Sequence, residues 1–155
     1  MSTKTKEAGE LFRRGHSCSQ AVFSAFAPDY GIDCASALKL AGGFGGGMGR
    51  LGEVCGAVSG ALMVIGLRHG AVEPADKKAK EHNYEMVRRF VEKFKGRNGS
   101  IICRELLGFD MSTPEGKAAA GRPGSFDRCP DLVKDAVEIL EQMAETDKSS
   151  RRQGD

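Results

Sequence analysis

Five cysteines provide the reactive side chains of this 155-residue sequence, and they are far apart along the chain. They are Cys18, Cys34, Cys55, Cys103 and Cys129. No two of them form a CxxC pair and no CxxCH segment occurs, so the sequence has neither a thioredoxin-type motif nor a covalent haem attachment site. Any site made of these thiols must therefore be assembled by the fold from distant segments.

Three of the cysteines are predicted to lie at the beginnings of helices. Cys18 follows a serine that opens a Ser-x-x-Gln capping box. Cys103 comes three residues after Ser100, an expected helix cap, and Cys129 directly precedes a proline at the start of the last helix. At such positions unpaired N–H groups and the positive end of the helix dipole favour anionic sulfur. The pKa of such a thiol is commonly lowered, and its sulfur reacts or binds metal.

A glycine-rich segment surrounds Cys55. The stretch AGGFGGGMGRLGEVCGAVSGALMVIGL is predicted to be a glycine loop followed by a helix over residues 51–67, with Cys55 one turn inside the helix. Gly52, Gly56 and Gly60 then form a bare stripe along one side of it. Each glycine costs a helix about 1 kcal/mol, so the stripe indicates that another backbone or a bulky group lies close. We therefore predict that these glycines let a neighbouring element or a cofactor approach Cys55.

The rest of the chain has the apolar pattern of helices. Apolar residues recur at three- and four-residue spacing and no long segment alternates with a period of two, so we predict an all-α fold. Residues 47–52, GMGRLG, match the GxGxxG pattern but lack the preceding strand that a dinucleotide-binding fingerprint requires. We predict a single domain over residues 1–155, a bundle of about five to seven helices in which the glycine-rich loop leads into a central helix. Residues 1–8 and 147–155 are expected to be frayed tails.

Composition and charge exclude several classes of protein. The net charge of +2 gives no broad electrostatic footprint for nucleic acid. The longest apolar run, GALMVIGL, is much shorter than the roughly 20 residues that a membrane-spanning helix needs. The first residues have no apolar core like that of a secretory signal. We therefore expect a cytoplasmic protein that neither binds nucleic acid nor inserts into a membrane, and whose thiols stay reduced unless they do chemistry.

Four parts of the chain resemble one known family. They are CSQAV at Cys18, GFGGGMGRLGEVCGAVSGAL around Cys55 with its CGAxxG core, CRELLG at Cys103, and Cys129. This pattern is similar to that of the C_GCAxxG_C_C family, small redox-active proteins with four characteristic cysteines, over about residues 11–140. The resemblance implies redox activity at these four cysteines and does not identify a reaction.

Four converging thiolates would repel one another. Two thiolates about 4 Å apart repel by roughly 4 kcal/mol at an effective dielectric of about 20. The dipole at a helix N-terminus stabilises each thiolate by only about 0.3–1 kcal/mol. The four thiols must therefore stay mostly protonated, form disulfides or share a cation. Structural disulfides are disfavoured in a reducing cytoplasm, and four cysteines are the usual ligand count for a metal or an iron–sulfur cluster.

We therefore predict a redox protein in which Cys18, Cys55, Cys103 and Cys129 converge to hold a metal or an iron–sulfur centre for electron transfer. A reversible disulfide between these cysteines is the first alternative and needs only two of them. A non-enzymatic helical binding or structural module with inert thiols is the second. The redox partner is not identified by the sequence, and a glycine-lined helix would also suit a contact between two copies. Cys34 lies outside the family pattern and receives no role.

Overall fold

The computed structural model describes residues 1–154, and over that range the chain is helical, as predicted. Its α-helices are α1 (Thr3–Arg13), α2 (Cys18–Phe26), α3 (Cys34–Ala41), α4 (Gly56–His69), α5 (Lys77–Asn98), α6 (Cys103–Leu107), α7 (Pro114–Ala120) and α8 (Cys129–Gln153). Two short 3₁₀ helices, Ala27–Tyr30 and Gly42–Phe44, follow α2 and α3. The described residues contain no strand and one isolated antiparallel bridge, between Val54 and Ile102. They contain eight α-helices, slightly more than the predicted five to seven.

Helices α2 and α4 form the centre of the packing. α2 packs against α1, α3, α4 and α8, while α4 also packs against α5 and α8. Most residues of α2 are buried, including Val22 and Phe26. α5 adds Phe90 and Phe94, whose rings stack with their centroids 6.0 Å apart. Full burial of such a side chain contributes about 1.5–3 kcal/mol to the free energy of unfolding. These contacts therefore hold α5 against α4 and α8.

The last helix, α8, has one apolar face. Its members are Leu132, Val133, Val137, Leu140 and Met143, all of them buried. Their three- and four-residue spacing places them on one side of α8, toward the other helices. The helix continues beyond this face to Gln153.

The two longest helices, α5 and α8, have 22 and 25 residues, and charged side chains interrupt both. Among residues 1–154 we find no helix whose length and apolar character would let it cross a membrane.

Both ends of the described chain belong to helices. Ser2 caps α1 by accepting the N–H of Thr5, and Thr5 and Ala8 are buried. α1 is ordered into a helix because it packs against α2 and α8. At the other end α8 includes residues 147–153, and residue 155 lies outside the described part of the chain.

Two of the three glycines in the expected stripe face α2. A Cβ built on Gly60 would lie 2.8 Å from the carbonyl oxygen of Ser19, and one built on Gly56 would lie 3.0 Å from the Ser19 backbone nitrogen. α2 is therefore the element that approaches this face, so the face is not free for a contact between two copies. Gly52 is not part of α4, because it precedes the helix with a φ of +72°.

Candidate functional site

One cavity of about 200 Å³ is lined by four of the five cysteines. They are Cys18, Cys55, Cys103 and Cys129. Each comes from the beginning of a different helix, and Cys34 lies elsewhere. The remaining wall is largely apolar, with Phe12, Leu106, Leu107, Met111, Phe126 and Leu132 among its members. The fold thus brings together thiols that are up to 111 positions apart in the sequence.

All four cavity cysteines are at helix N-termini. Cys18, Cys103 and Cys129 are the first residues of α2, α6 and α8. The prediction for Cys55 was wrong, because it is the N-cap of α4 and not a residue one turn inside the helix. Its ψ of 132° is non-helical, and α4 begins only at Gly56. The helix predicted from residue 51 therefore starts five positions later.

The predicted capping box positions Cys18. Ser17 accepts the backbone N–H of Gln20, and the Gln20 side chain accepts the backbone N–H of Ser17 across 2.9 Å. The Gln20 amide also donates to the carbonyl oxygen of Leu38 across 3.0 Å, which joins α2 to α3. The orientation of Cys18 is therefore determined by local hydrogen bonds and by the neighbouring helix together.

A short antiparallel pairing places Cys55 beside Cys103. Cys55 donates its N–H to the carbonyl oxygen of Ile101 across 2.7 Å, and Cys103 donates its N–H to that of Glu53 across 2.6 Å. These two bonds flank the isolated bridge. The expected cap of α6 was wrong: α6 begins at Cys103 without a side-chain cap, and Ser100 accepts the N–H of Ile102 instead, across 3.0 Å. The pairing with a remote segment, not a local cap, positions this thiol.

A left-handed backbone segment closes another side of the cavity. Residues 46–50 all have a positive φ, between +57° and +70°. Three of them are glycines, but Met48 and Arg50 are not, and this conformation costs a non-glycine residue roughly 1–2 kcal/mol. The N–H of Glu53 donates to the carbonyl oxygen of Gly47 across 2.9 Å and helps to hold the segment. Arg50 reaches the cavity wall as a result, and such stored strain is typical of functional segments.

Arg128 fixes the start of α8 beside the cavity. Its guanidinium donates to the carbonyl oxygen of Leu106 across 2.9 Å and to that of Asn98 across 3.0 Å. Arg128 therefore joins the C-terminal ends of α5 and α6 to the residue before Cys129. Neither Arg50 nor Arg128 was singled out from the sequence, because no local pattern marks an arginine that acts on remote backbone.

Burial opposes ionisation of two of the thiols. It raises the pKa of Cys55 from 9.0 to about 11, although the backbone N–H groups of Ala57 and Val58 act in the opposite direction. Burial and the neighbouring sulfurs of Cys55 and Cys129 raise the pKa of Cys103 to about 12. Cys103 was one of the three cysteines expected to have a lowered pKa, and there the expectation is wrong because the loss of hydration outweighs the helix dipole.

Cys18 and Cys129 form a directly interacting pair of thiols. The hydrogen bond between their side chains raises the pKa of Cys18 well above 9.0, burial adds to that rise, and the same bond lowers the pKa of Cys129. Cys129 also begins the longest helix, whose N-terminus favours negative charge. The pKa values of these two thiols are therefore shifted in opposite directions.

The described part of the chain has no preformed metal-ion site. All five cysteines are free thiols. Among the described residues, no three His, Cys, Asp or Glu side chains are placed to hold one metal ion. The four cavity thiols share one cavity wall without forming such a set.

The glycines predicted to lie at the site have different positions. Gly56 lines the cavity. Gly60 contacts α2 at Ser19, and Gly52 faces Arg104 and Asp110. Close approach to a cavity cysteine is made at Gly56, where a Cβ would lie 3.3 Å from the Cβ of Cys18. It is also made at Gly47, which was not singled out: a Cβ built there would lie 2.7 Å from the Cβ of Cys103.

Comparison with known proteins shows the family of the chain. A family model described as "Putative redox-active protein (C_GCAxxG_C_C)" matches residues 16–143, which include all four cavity cysteines. The chain belongs to the C_GCAxxG_C_C family. No curated protein and no solved structure matches it. For this C_GCAxxG_C_C protein, the predicted family is therefore confirmed, and the family description is that of a redox-active protein.

Proposed function

We propose that this C_GCAxxG_C_C protein is an electron carrier whose Cys18, Cys55, Cys103 and Cys129 hold an iron–sulfur cluster. The observation that carries the proposal is the single apolar cavity lined by four thiols from the starts of four helices. Iron–sulfur clusters are held by four cysteine thiolates in many proteins. When bound, the cluster supplies one-electron transfer between a donor and an acceptor.

The shared cavity supports a cluster. A cluster is several ångströms wide and takes thiolates around its edge, so it needs four thiols that face a common space. The four cysteines line one cavity of about 200 Å³, which is the observation in favour of this proposal.

The raised pKa values of Cys55 and Cys103 also support the proposal. Both thiols are costly to ionise because they lie in an apolar cavity beside other sulfurs. The iron ions of a cluster would offset the cost of ionising these thiols, since nearby positive charge favours the thiolate. The N–H groups of Ala57 and Val58 and the cation of Arg128 already favour a thiolate at Cys55. Such N–H groups and charges tune the potential of a cluster.

Anaerobic reconstitution tests this function. Reduced protein is incubated with ferrous iron and sulfide, and bound iron, acid-labile sulfide and visible absorbance are measured per chain. We expect the wild-type protein and Cys34→Ser to bind equal iron and sulfide, and Cys55→Ser and Cys103→Ser to lose most of both. Iron retention by Cys55→Ser equal to that of the wild-type protein would reject the cluster.

A reversible disulfide is the second candidate, and the contact between Cys18 and Cys129 favours it. The Cys129 thiolate attacks one sulfur of a substrate disulfide, and the other half leaves as a thiolate. Cys18 then loses its proton and attacks the Cys129 sulfur, so that the second half leaves and a Cys18–Cys129 disulfide remains. One substrate disulfide becomes two thiols, and the two protein thiols are oxidised.

Mapping of disulfides separates the two candidates and the inert module. Reduced, metal-free protein is treated with oxidised dithiothreitol, its free thiols are alkylated, and its peptides are identified by mass spectrometry. A Cys18–Cys129 disulfide in protein that binds no iron supports the dithiol function. If neither a cluster nor a disulfide forms, the thiols are inert, and the protein is a binding or structural module.

A further inference from the structure

A second groove adjoins the four-cysteine cavity. It has a volume of about 630 Å³ and is lined by the end of the left-handed segment, by α7 and by residues on both sides of α7. Arg50, Met111 and Phe126 line the groove and the cavity alike, so the two have part of their walls in common. A molecule that binds in the groove therefore lies beside the four-cysteine cavity.

Large apolar side chains are exposed at this groove. Leu51 lines it and is 55 % exposed, and Phe126 is 40 % exposed. Met48, three residues before Leu51, is also exposed, and its carbonyl oxygen accepts the N–H of Leu51 across 3.0 Å. Exposed apolar side chains that cluster beside polar ones mark a contact surface, whereas single ones are ordinary. The groove thus has the apolar part of a docking surface.

The charged side chains that line the groove are positive. They are Arg50 and Lys117, and neither forms an ion pair among residues 1–154. Asp110 and Asp127 are adjacent in sequence to groove residues, but in the described chain no carboxylate lines the groove itself. An acidic surface therefore complements the groove, and a basic surface is repelled by it.

We propose that this groove is the docking surface for a small acidic protein that carries single electrons. The proposal rests on the proposed electron-carrier function and names the class of its redox partner. Apolar side chains of the partner cover Leu51 and Phe126, and its carboxylates face Arg50 and Lys117. The reduced partner gives one electron to the four-cysteine site and leaves oxidised, and no covalent bond forms or breaks.

The charge of the groove argues against a second copy of this chain as the occupant. In a symmetric pair the same surface meets itself, so Arg50 and Lys117 would face an equally positive surface. Such like-charge contacts are unfavourable. The mixed character instead suits a brief contact, because complexes of electron-transfer proteins bury little area, less than about 1,200 Å², and complementary charge speeds their encounter. Arginine, methionine and aromatic side chains are also the types enriched at protein interfaces.

Two electron-carrier proteins of opposite charge test the proposal. An acidic plant-type ferredoxin and a basic cytochrome c are titrated by calorimetry into the reduced protein, both metal-free and reconstituted. We expect the ferredoxin to bind both forms and cytochrome c to bind neither. The affinity for ferredoxin should fall about three- to tenfold between about 0.01 and 0.15 M ionic strength, because the Debye length shortens from about 30 to 8 Å. Carbodiimide coupling should join Lys117 to a ferredoxin carboxylate, which peptide mass spectrometry identifies.

A matched pair of charge variants locates the contact. Lys117→Glu should weaken ferredoxin binding about three- to tenfold, because an attraction becomes a repulsion. Lys78→Glu on α5 makes the same change of charge outside the groove. Lys78 is about 30 Å along α5 from Asn98, the residue whose carbonyl oxygen binds Arg128 beside the cavity. Because that separation is several Debye lengths, Lys78→Glu should alter the affinity less than about twofold.

A second pair of variants tests the apolar part of the groove. Leu51→Ser should weaken ferredoxin binding about two- to tenfold, because the partner no longer covers an apolar side chain. Val72→Ser replaces another exposed apolar residue, outside the groove, and should leave the affinity unchanged. Urea unfolding shows whether each variant is folded.

Several outcomes would overturn the proposal. They are no ferredoxin binding by the wild-type protein, equal affinities of Lys117→Glu and Lys78→Glu, and binding of a polyglutamate peptide as tight as that of ferredoxin. Self-association of the wild-type protein that Leu51→Ser abolishes would assign the groove to a second copy instead. Ferredoxin binding by metal-free protein that takes up no iron on reconstitution would reject the cluster and support the docking surface.

Discussion

Gly60 lies so close to α2 that a Cβ built on it would be 2.8 Å from the carbonyl oxygen of Ser19. Ser19 is in turn held by its hydroxyl, which donates to the carbonyl oxygen of Ala41 across 2.8 Å. This contact lies one turn from the starts of α2 and α4, where Cys18 and Cys55 are located. The distance between two cavity cysteines therefore depends on how closely these two helices approach.

Gly60→Ala is expected to destabilise the protein by about 1–3 kcal/mol, because the added methyl group would overlap the α2 backbone. Gly66→Ala is the matched control on the same helix, since a Cβ there meets nothing within 4 Å. The control should be neutral or more stable by up to about 1 kcal/mol, because alanine favours helix. The free energy of unfolding of both variants is measured by urea denaturation. Equal stability of the two variants would contradict the proposed close approach.

Gly47→Ala is expected to disrupt the four-cysteine cavity. The new Cβ would lie 2.6 Å from the Glu53 nitrogen and 2.7 Å from the Cβ of Cys103, at a φ of +70°. Gly49→Ala has a similar φ of +57° but meets no atom within 4 Å, so it isolates the cost of backbone strain. We expect Gly47→Ala to bind much less iron than Gly49→Ala in the reconstitution assay. The loss of iron by both variants to the same extent would assign the effect to strain alone.

The Cys18–Cys129 pair should control the pH dependence of alkylation in the reduced, metal-free protein. The side-chain hydrogen bond from Cys18 lowers the pKa of Cys129, so Cys129 becomes a thiolate at a lower pH than an ordinary cysteine. Cys18→Ala removes the donor, and the alkylation profile of Cys129 should shift to higher pH. Cys18→Ser keeps an O–H donor and should shift it less. Peptide-resolved iodoacetamide labelling measures the profiles, and identical profiles in all three proteins would refute the pairing.

The buried thiol of Cys55 should make the protein less stable in alkali. Its pKa is raised on folding, so its contribution to the free energy of unfolding is complete below pH 9 and is lost as the pH rises through about 11. A rise from 9.0 to about 11 corresponds to about 3 kcal/mol at most. Cys55→Ser does not titrate there, so its stability should fall less steeply between pH 9 and 11. Parallel curves for the two proteins, measured by urea unfolding without metal, would show that Cys55 is hydrated.

Much of the local structure follows from short sequence patterns. The Ser17 capping box formed as predicted because its hydrogen bonds join residues three positions apart. The apolar face of α8 was equally predictable, since helical periodicity alone decides which side chains share a side. The start of α4 was not predictable in this way, because the chain from Gly46 to Arg50 adopts a left-handed conformation. A high glycine content shows that this conformation is allowed, but it does not show that the chain adopts it.

The amino-acid sequence by itself determined that the chain is helical, that it carries the four cysteines of the C_GCAxxG_C_C pattern, and that several of them begin helices. Those features depend on spacing and capping over a few residues. Only the tertiary structure decided that four thiols share one cavity, that Cys18 pairs with Cys129, and that Cys34 lies on a different groove. These relationships depend on contacts between segments remote in sequence, and the pKa of each thiol depends on how much water those contacts exclude.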